Sequence, residues 1–240
     1  MSSQRYARQI ILPGFGEEGQ ELLRRSTVGI MGIGGLGSPA AYYLAAAGVG
    51  RLILADPQGP DLTNLNRQLL HWEEDVGQGS KPRSAAWKLE RFNSEVEVIA
   101  RTEEVTPNNI GEVFDGADVI LDCLDGFPAR YVLNDHSVAT GVPFIHAAVE
   151  EMHGQVTTII PGRTPCLRCL FPRAPPKRGA FPILGATAGV FGSIQAAEAV
   201  KLLTGVGEPL CSKLLVGDLQ YNSWETIEVV RADRCLVCKK

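Results

Sequence analysis

Apolar positions recur along the chain with two different periods. Thr27–Met31 and Arg51–Ala55 are short apolar runs that read as strands. Between them, Ser38 is placed to cap a helix whose first residue is Pro39, and alanine-rich sequence carries that helix to a stop at Gly48. Segment 17–25 reads as a short helix, acidic at its start and basic at its end, which suits the helix dipole. Segment 82–92 sets Ala85, Ala86, Leu89 and Phe92 at helical spacing, and 96–100 is another strand. Segment 119–124 is almost continuously apolar, as in a strand buried on both faces, and ends at Asp125. Segments 128–139 and 143–149 read as the next helix and strand.

Strand and helix therefore alternate, which predicts an α/β fold: a Rossmann-like doubly wound sheet, mostly parallel, with helices on both faces. The pattern changes after Glu150. Segments 155–160, Lys213–Asp218 and 226–231 read as strands, the C-terminal two antiparallel. Segment 161–182 is a crossover rich in proline, glycine and basic residues, and 185–203 is a long helix ended by Gly205. The chain, 1–240, is read as one domain with a nucleotide-binding half, 1–150, and a smaller half, 151–240.

The turn that follows the first strand is Gly32-Ile33-Gly34-Gly35-Leu36-Gly37. Its glycines let the backbone approach a phosphate closely, and the helix after it offers free N–H groups and a positive dipole end. Asp56, at the end of the next strand, lies where a ribose-binding acid belongs in a nucleotide-binding βαβ unit. A tight strand-to-helix turn could show the same glycines without a ligand; strand, helix and acid together favour the nucleotide.

Composition narrows the partners. A net charge of −4 gives no electrostatic case for nucleic acid or an anionic membrane. No apolar run is long enough to span a bilayer, and segment 1–20 lacks the apolar core of a signal peptide. The expected compartment is the cytoplasm, where six cysteines point to metal or chemistry before disulfides. Four of them, Cys166, Cys169, Cys235 and Cys238, form two CxxC pairs and supply the thiolates of a tetrahedral zinc. Such a site staples the crossover to the C-terminal segment and, with no open position, is structural; redox pairs or free thiols are the alternatives.

Arg67, Lys81 and Asp125 join Asp56 at or after strand ends, the edge where a doubly wound sheet keeps its ligands. Arg67 and Lys81 can neutralise a triphosphate under attack, and Asp125 can hold magnesium. Cys123, within an apolar strand, reads as buried and inert. His71, His136, His146 and His153 show no ligand spacing and are assigned nothing.

Over nearly its whole length the chain resembles the MoeB/ThiF/HesA family of ubiquitin-activating-like adenylyltransferases. The resemblance rests on RYARQI from Arg5, GIGGLG from Gly32, AAAGVG from Ala45, DLTNLNRQ from Asp61, DVG from Asp75, LDCLD from Leu121, PCLRCLFP from Pro165, GSIQAAEAVKLLTGVGEPL from Gly192, and the terminal CLVC. It implies ATP, Mg2+ and Zn2+ as cofactors, and the glycine-ended tail of a small ubiquitin-like sulfur-carrier protein as partner. The tail carboxylate would attack the α-phosphate, giving acyl-adenylate and pyrophosphate. The resemblance implies Gly34 and Gly35 at the phosphates, Asp56 on the ribose, and Asn64, Asn66, Arg67 and Lys81 on the nucleotide. Asp125 would hold the magnesium, with Arg67, Lys81 and Asp125 as the catalytic groups. Arg8 resembles the arginine that reaches the partner subunit's ATP, which implies a homodimer.

The sequence departs from the family pattern in places. No cysteine occurs from Leu170 through Leu210, where many relatives carry one, so no enzyme thioester is expected. Leu124 and Gly126 stand where the family's DCTDN motif has threonine and asparagine. The chain ends at the last CxxC with no rhodanese-like domain, so sulfur is expected from another protein. Two other readings stay open: a nicotinamide-dependent oxidoreductase, from the glycine turn and Asp56 alone, and a family member that binds nucleotide and partner without turnover.

Overall fold

The computed structural model describes residues 3–175, 179 and 181–239. Helices α1 (Ser3–Ile10) and α2 (Gly16–Arg25) precede β1 (Thr27–Met31), α3 (Gly37–Ala47) and β2 (Arg51–Ala55). Then come α4 (Lys81–Phe92), β3 (Glu97–Arg101), α5 (Ile110–Val113), β4 (Val119–Asp122), α6 (Phe127–Thr140) and β5 (Phe144–Glu150). The chain continues through β6 (His153–Ile159), α7 (Leu167–Leu170), α8 (Gly185–Thr204), β7 (Lys213–Asp218) and β8 (Ser223–Glu228).

Among the described residues the strands form one eight-stranded sheet in the order β3-β2-β1-β4-β5-β6-β7-β8. Pairing is parallel from β3 to β5 and antiparallel from β5 to β8. The expected architecture is thus present. The winding reverses between β1 and β4, and an open α/β sheet binds its ligands in the crevice at such a point.

Alternate strand residues feed two cores, which is why the sequence shows runs rather than alternation. Val28, Ile30, Leu52, Leu54, Val119 and Leu121 face the core covered by α2, α3, α4 and α8. Met31, Ile53, Ala55, Ile120 and Phe144 face the core that holds Phe114 and Leu133, from the α5 and α6 segments.

Several boundaries move for local reasons. Helix α3 starts at Gly37, so Ser38 is not its cap and Pro39 is not its first residue. The glycine turn already curls helically: Leu36 has φ −78° and ψ −46°, and Ser38 N–H donates to Gly34 O at 2.9 Å. Ser38 is buried and its hydroxyl has no partner. Strand β4 stops at Asp122, two residues before the apolar run does, because Leu124 N–H turns back to Asp122 Oδ1 at 3.2 Å. Strand β8 begins at Ser223 because Asp218 Oδ1 accepts Gln220 N–H and the hairpin reverses at once.

Candidate nucleotide site at the sheet switch point

Beyond the carboxyl end of β1, Gly32 adopts φ +96°, and a Cβ there would meet Cys123 O at 2.6 Å. A Cβ on Gly37 would lie 2.0 Å from Gly32 O. Only glycine lets this turn fold back on itself and bring the first N–H groups of α3 to the crevice. Gly34 and Gly35 form the open part of the turn. Arg67 lies against Gly35, its Cγ 3.5 Å from where a Cβ would be, and its Nη1 donates to Thr63 O and Asn66 Oδ1 at 2.9 and 2.8 Å. Asn64 and Asn66 belong to the same loop, half-buried and exposed respectively.

Asp56 is buried, at 7% exposure. Its Oδ2 accepts Ile33 N–H and its Oδ1 accepts Gln58 N–H, both at 2.9 Å. The acid after β2 therefore also holds the glycine turn after β1. Lys81, the first residue of α4, is 2% exposed and donates from Nζ to Gln58 Oε1 at 2.8 Å. Burial pushes its pKa down, while the charges of Asp56 and Asp125 hold it up. The charge of Arg67 also acts on Lys81, so the four groups are electrostatic neighbours beyond the carboxyl edge of the sheet. Asp125 is exposed, between β4 and α6, and Gly126 caps α6 without a side-chain bond.

Arg8 is not in this cluster. Helix α1 docks at the carboxyl ends of α3 and α4, where Gln9 donates to Ala47 O at 3.0 Å and Asn93 donates to Tyr6 Oη at 2.9 Å. The crevice lies at the opposite ends of those helices, and the 11 residues of α3 span roughly 16 Å.

His71, His146 and His153 are better connected than their spacing implies. His71 is buried and donates from Nε2 to Ile33 O at 2.8 Å, with Nδ1 3.2 Å from Ser84 Oγ, so it holds the carbonyl of the residue whose N–H Asp56 holds. Burial lowers its pKa. His146 lies 2.7 Å from Asp122, and His153 3.2 Å from Asp218. Asp122, Arg130 and His146 form a buried group that sequence reasoning missed. The available signal was a charged or imidazole side chain inside an otherwise apolar strand.

Sγ atoms of the four CxxC cysteines all lie within 4.8 Å of one another. Cys166 Sγ is 3.9 Å from Cys169 and 3.6 Å from Cys235, and Cys169 is 3.4 Å from Cys238. Four thiolates around one zinc stand about 3.8 Å apart, so the donor set and its spacing fit that metal. Burial raises Cys166, whereas Cys235 is lowered despite burial by the N–H groups of Cys238 and Val237 and by neighbouring thiols. Cys123 is buried as expected; burial raises its pKa and it donates to Gln195 Oε1 at 3.3 Å. Cys211 is half-buried in a separate cleft of about 580 Å³ lined by Arg163, Lys213 and Arg231, with no residue of the crevice.

A doubly wound nucleotide-type sheet with antiparallel C-terminal strands and a four-cysteine cluster defines the class. The description of the ThiF family matches residues 6–237, and the chain belongs to the ThiF family. It is an adenylyltransferase of that family. It is 46% identical to "Protein HesA, vegetative" of Trichormus variabilis, over 98% of this chain and 89% of that one. It is 41% identical to "Sulfur carrier protein adenylyltransferase" of Thermus thermophilus, over 98% and 90%. The crystal structure of E. coli MccB with AMPCPP and MccA superposes with a TM-score of 0.86 at 26% identity, covering 99% of this chain and 75% of that one.

Proposed function

We propose that this chain uses ATP to adenylylate the C-terminal glycine carboxylate of a small ubiquitin-like sulfur-carrier protein. The neighbourhood of Asp56, Arg67, Lys81 and Asp125 beyond the carboxyl edge of the sheet carries this reading. The printed name of the T. thermophilus relative supports the substrate class, and the MccB complex supports a nucleotide and a peptide on one fold.

A carboxylate oxygen of the tail attacks the α-phosphorus, the bond to the pyrophosphate oxygen breaks, and pyrophosphate leaves. Arg67 and Lys81 offset the charge that gathers on the leaving group. Gly34 and Gly35 admit the phosphates to the backbone, and Asn64 and Asn66 contact the nucleotide from the loop. Asp56 has lone pairs left beyond its two backbone bonds to accept a ribose hydroxyl. Asp125 holds Mg2+, which supplies charge neutralisation when bound. The four cysteines hold a structural Zn2+ in the half 151–240, which also receives the carrier, while the half 1–150 takes the nucleotide. Helix α1 sets Arg8 at the far end of α3 from its own crevice, which favours delivery to a second copy in a homodimer. The working compartment is the cytoplasm; among the described residues no helix is long and apolar enough to cross a membrane.

ATP–pyrophosphate exchange with candidate carriers tests the reading. Label should enter ATP only with a carrier whose terminal glycine carboxylate is free. ATP binding without exchange, for every glycine-ended carrier, would instead support binding without turnover, the reading favoured by apolar Leu124 and capless Gly126.

A further inference from the structure

We infer that Asp122, Arg130 and His146 are positioning residues that set the direction in which Asp125 leaves the sheet; this rests on the adenylylation reading. The last ladder bond of β4 runs from Cys123 N–H to Met31 O at 3.0 Å. Past it, apolar packing can hold side chains but does not orient a peptide plane. Leu124 is the residue between that bond and Asp125, and both of its backbone groups are tied. Its N–H donates to Asp122 Oδ1 at 3.2 Å, and its carbonyl accepts from Arg130 Nη2. The same Nη2 donates to Ala147 O at 3.2 Å, which ties this peptide to β5.

Asp122 is itself held by a hydrogen bond, and Arg130 is its ion-pair partner. Arg130 Nε lies 3.6 Å from Asp122 Oδ1, and His146 Nδ1–H donates to Asp122 Oδ2 at 2.7 Å. Gln155 Nε2 faces His146 Nε2 at 3.4 Å from β6. From α8, Gln195 donates to Asp122 O at 2.9 Å and to Ile145 O at 3.0 Å. Asp122 and His146 have no exposed surface and Arg130 has 5%. A buried ion pair is weak evidence for stability, because desolvation offsets most of its attraction. What this group does supply is orientation: Asp122 from β4 and Arg130 from α6 hold the N–H and the carbonyl of Leu124, the residue before the exposed carboxylate, and His146 from β5 holds Asp122. A second ring of hydrogen bonds around a metal-binding group fixes where its oxygen points, and losing one such partner costs roughly 10–100-fold in metal affinity.

The test uses the full chain with a carrier that supports exchange. His146→Leu removes the donor to Asp122, and His146→Asn keeps an N–H in its place. Arg130→Gln alone leaves a buried carboxylate uncompensated, so it is paired with the double variant Asp122→Asn/Arg130→Gln, which removes both charges and keeps an acceptor for Leu124 N–H. Two quantities are read: the free Mg2+ concentration for half-maximal exchange at saturating ATP, and the affinity for a fluorescent ATP analogue without divalent cation. His146→Leu and the double variant should raise the Mg2+ requirement about tenfold or more, with metal-free nucleotide affinity unchanged and His146→Asn close to wild type. An unchanged Mg2+ requirement in His146→Leu, which deletes no charge, would overturn the inference, as would an equal loss of metal-free ATP affinity. Wild-type protein with no divalent-dependent exchange would overturn the adenylylation reading as well.

Discussion

The carboxylate of Asp56, at the end of β2, accepts the backbone N–H of Ile33, in the glycine turn that ends β1, at 2.9 Å. One acid thus holds the glycine turn, and the proposed function sets the same acid against the ribose. Asp56→Ala should therefore do two things. ATP binding should weaken at least tenfold in calorimetric titration. The buried N–H of Ile33 and the part-buried N–H of Gln58 also lose their acceptor, so stability should fall by about 1–3 kcal/mol in denaturant unfolding. Unchanged ATP affinity would show that Asp56 only braces the turn.

Burial disfavours the charged form of Lys81, so its ammonium costs the nucleotide-free fold. Its folded pKa is lowered by burial from the ordinary lysine value of 10.5, so the cost is full below that folded pKa and fades as pH rises towards 10.5. Stability of the nucleotide-free protein should rise through that window. Bound phosphates favour the charged form, so ATP affinity should fall over the same range. Lys81→Met should abolish exchange yet raise the nucleotide-free melting temperature. A lower melting temperature would mean that the bond to Gln58 outweighs desolvation.

Zinc should be present at about one equivalent per chain in protein purified without added metal. Cys235→Ser should lose it and release the 166–169 segment from the C-terminal segment, measurable as faster amide exchange there. Fully folded metal-free protein would refute the site.

Arg8→Ala should lower exchange roughly a hundredfold, although Arg8 lies far from its own crevice. Mixed dimers of Arg8→Ala and Lys81→Ala chains should regain activity, because one of their two sites has both groups. Verified heterodimers without rescue would argue against a shared site.

The carrier should be released as acyl-adenylate without a covalent link to the enzyme. A thioester needs an accessible thiolate, and burial raises the pKa of both Cys123 and Cys211. Non-reducing gels and intact-mass analysis of enzyme, ATP and carrier should show no thiol-sensitive adduct. An adduct lost in Cys211→Ala would give that residue the nucleophile's role.

The sequence by itself determined the α/β class, the glycine turn and the two CxxC pairs, because each rests on local chemistry. Apolar runs specify strands buried on both faces, and glycine is the residue that tolerates φ +96° at position 32. Four cysteines at CxxC spacing specify a sulfur donor set wherever the chain brings them. Only the tertiary structure decided which polar side chains face one another. Asp122 and His146 are 24 residues apart and each reads as an interruption of a strand; parallel pairing of β4 with β5 sets them in register and turns two interruptions into a hydrogen bond. Ser38 shows the reverse. Its sequence position suits a helix cap, but the helix starts two residues earlier, with Leu36 at the cap, and buries the Ser38 hydroxyl without a partner, because backbone closure around Gly32 and Gly37 outranks the local capping preference.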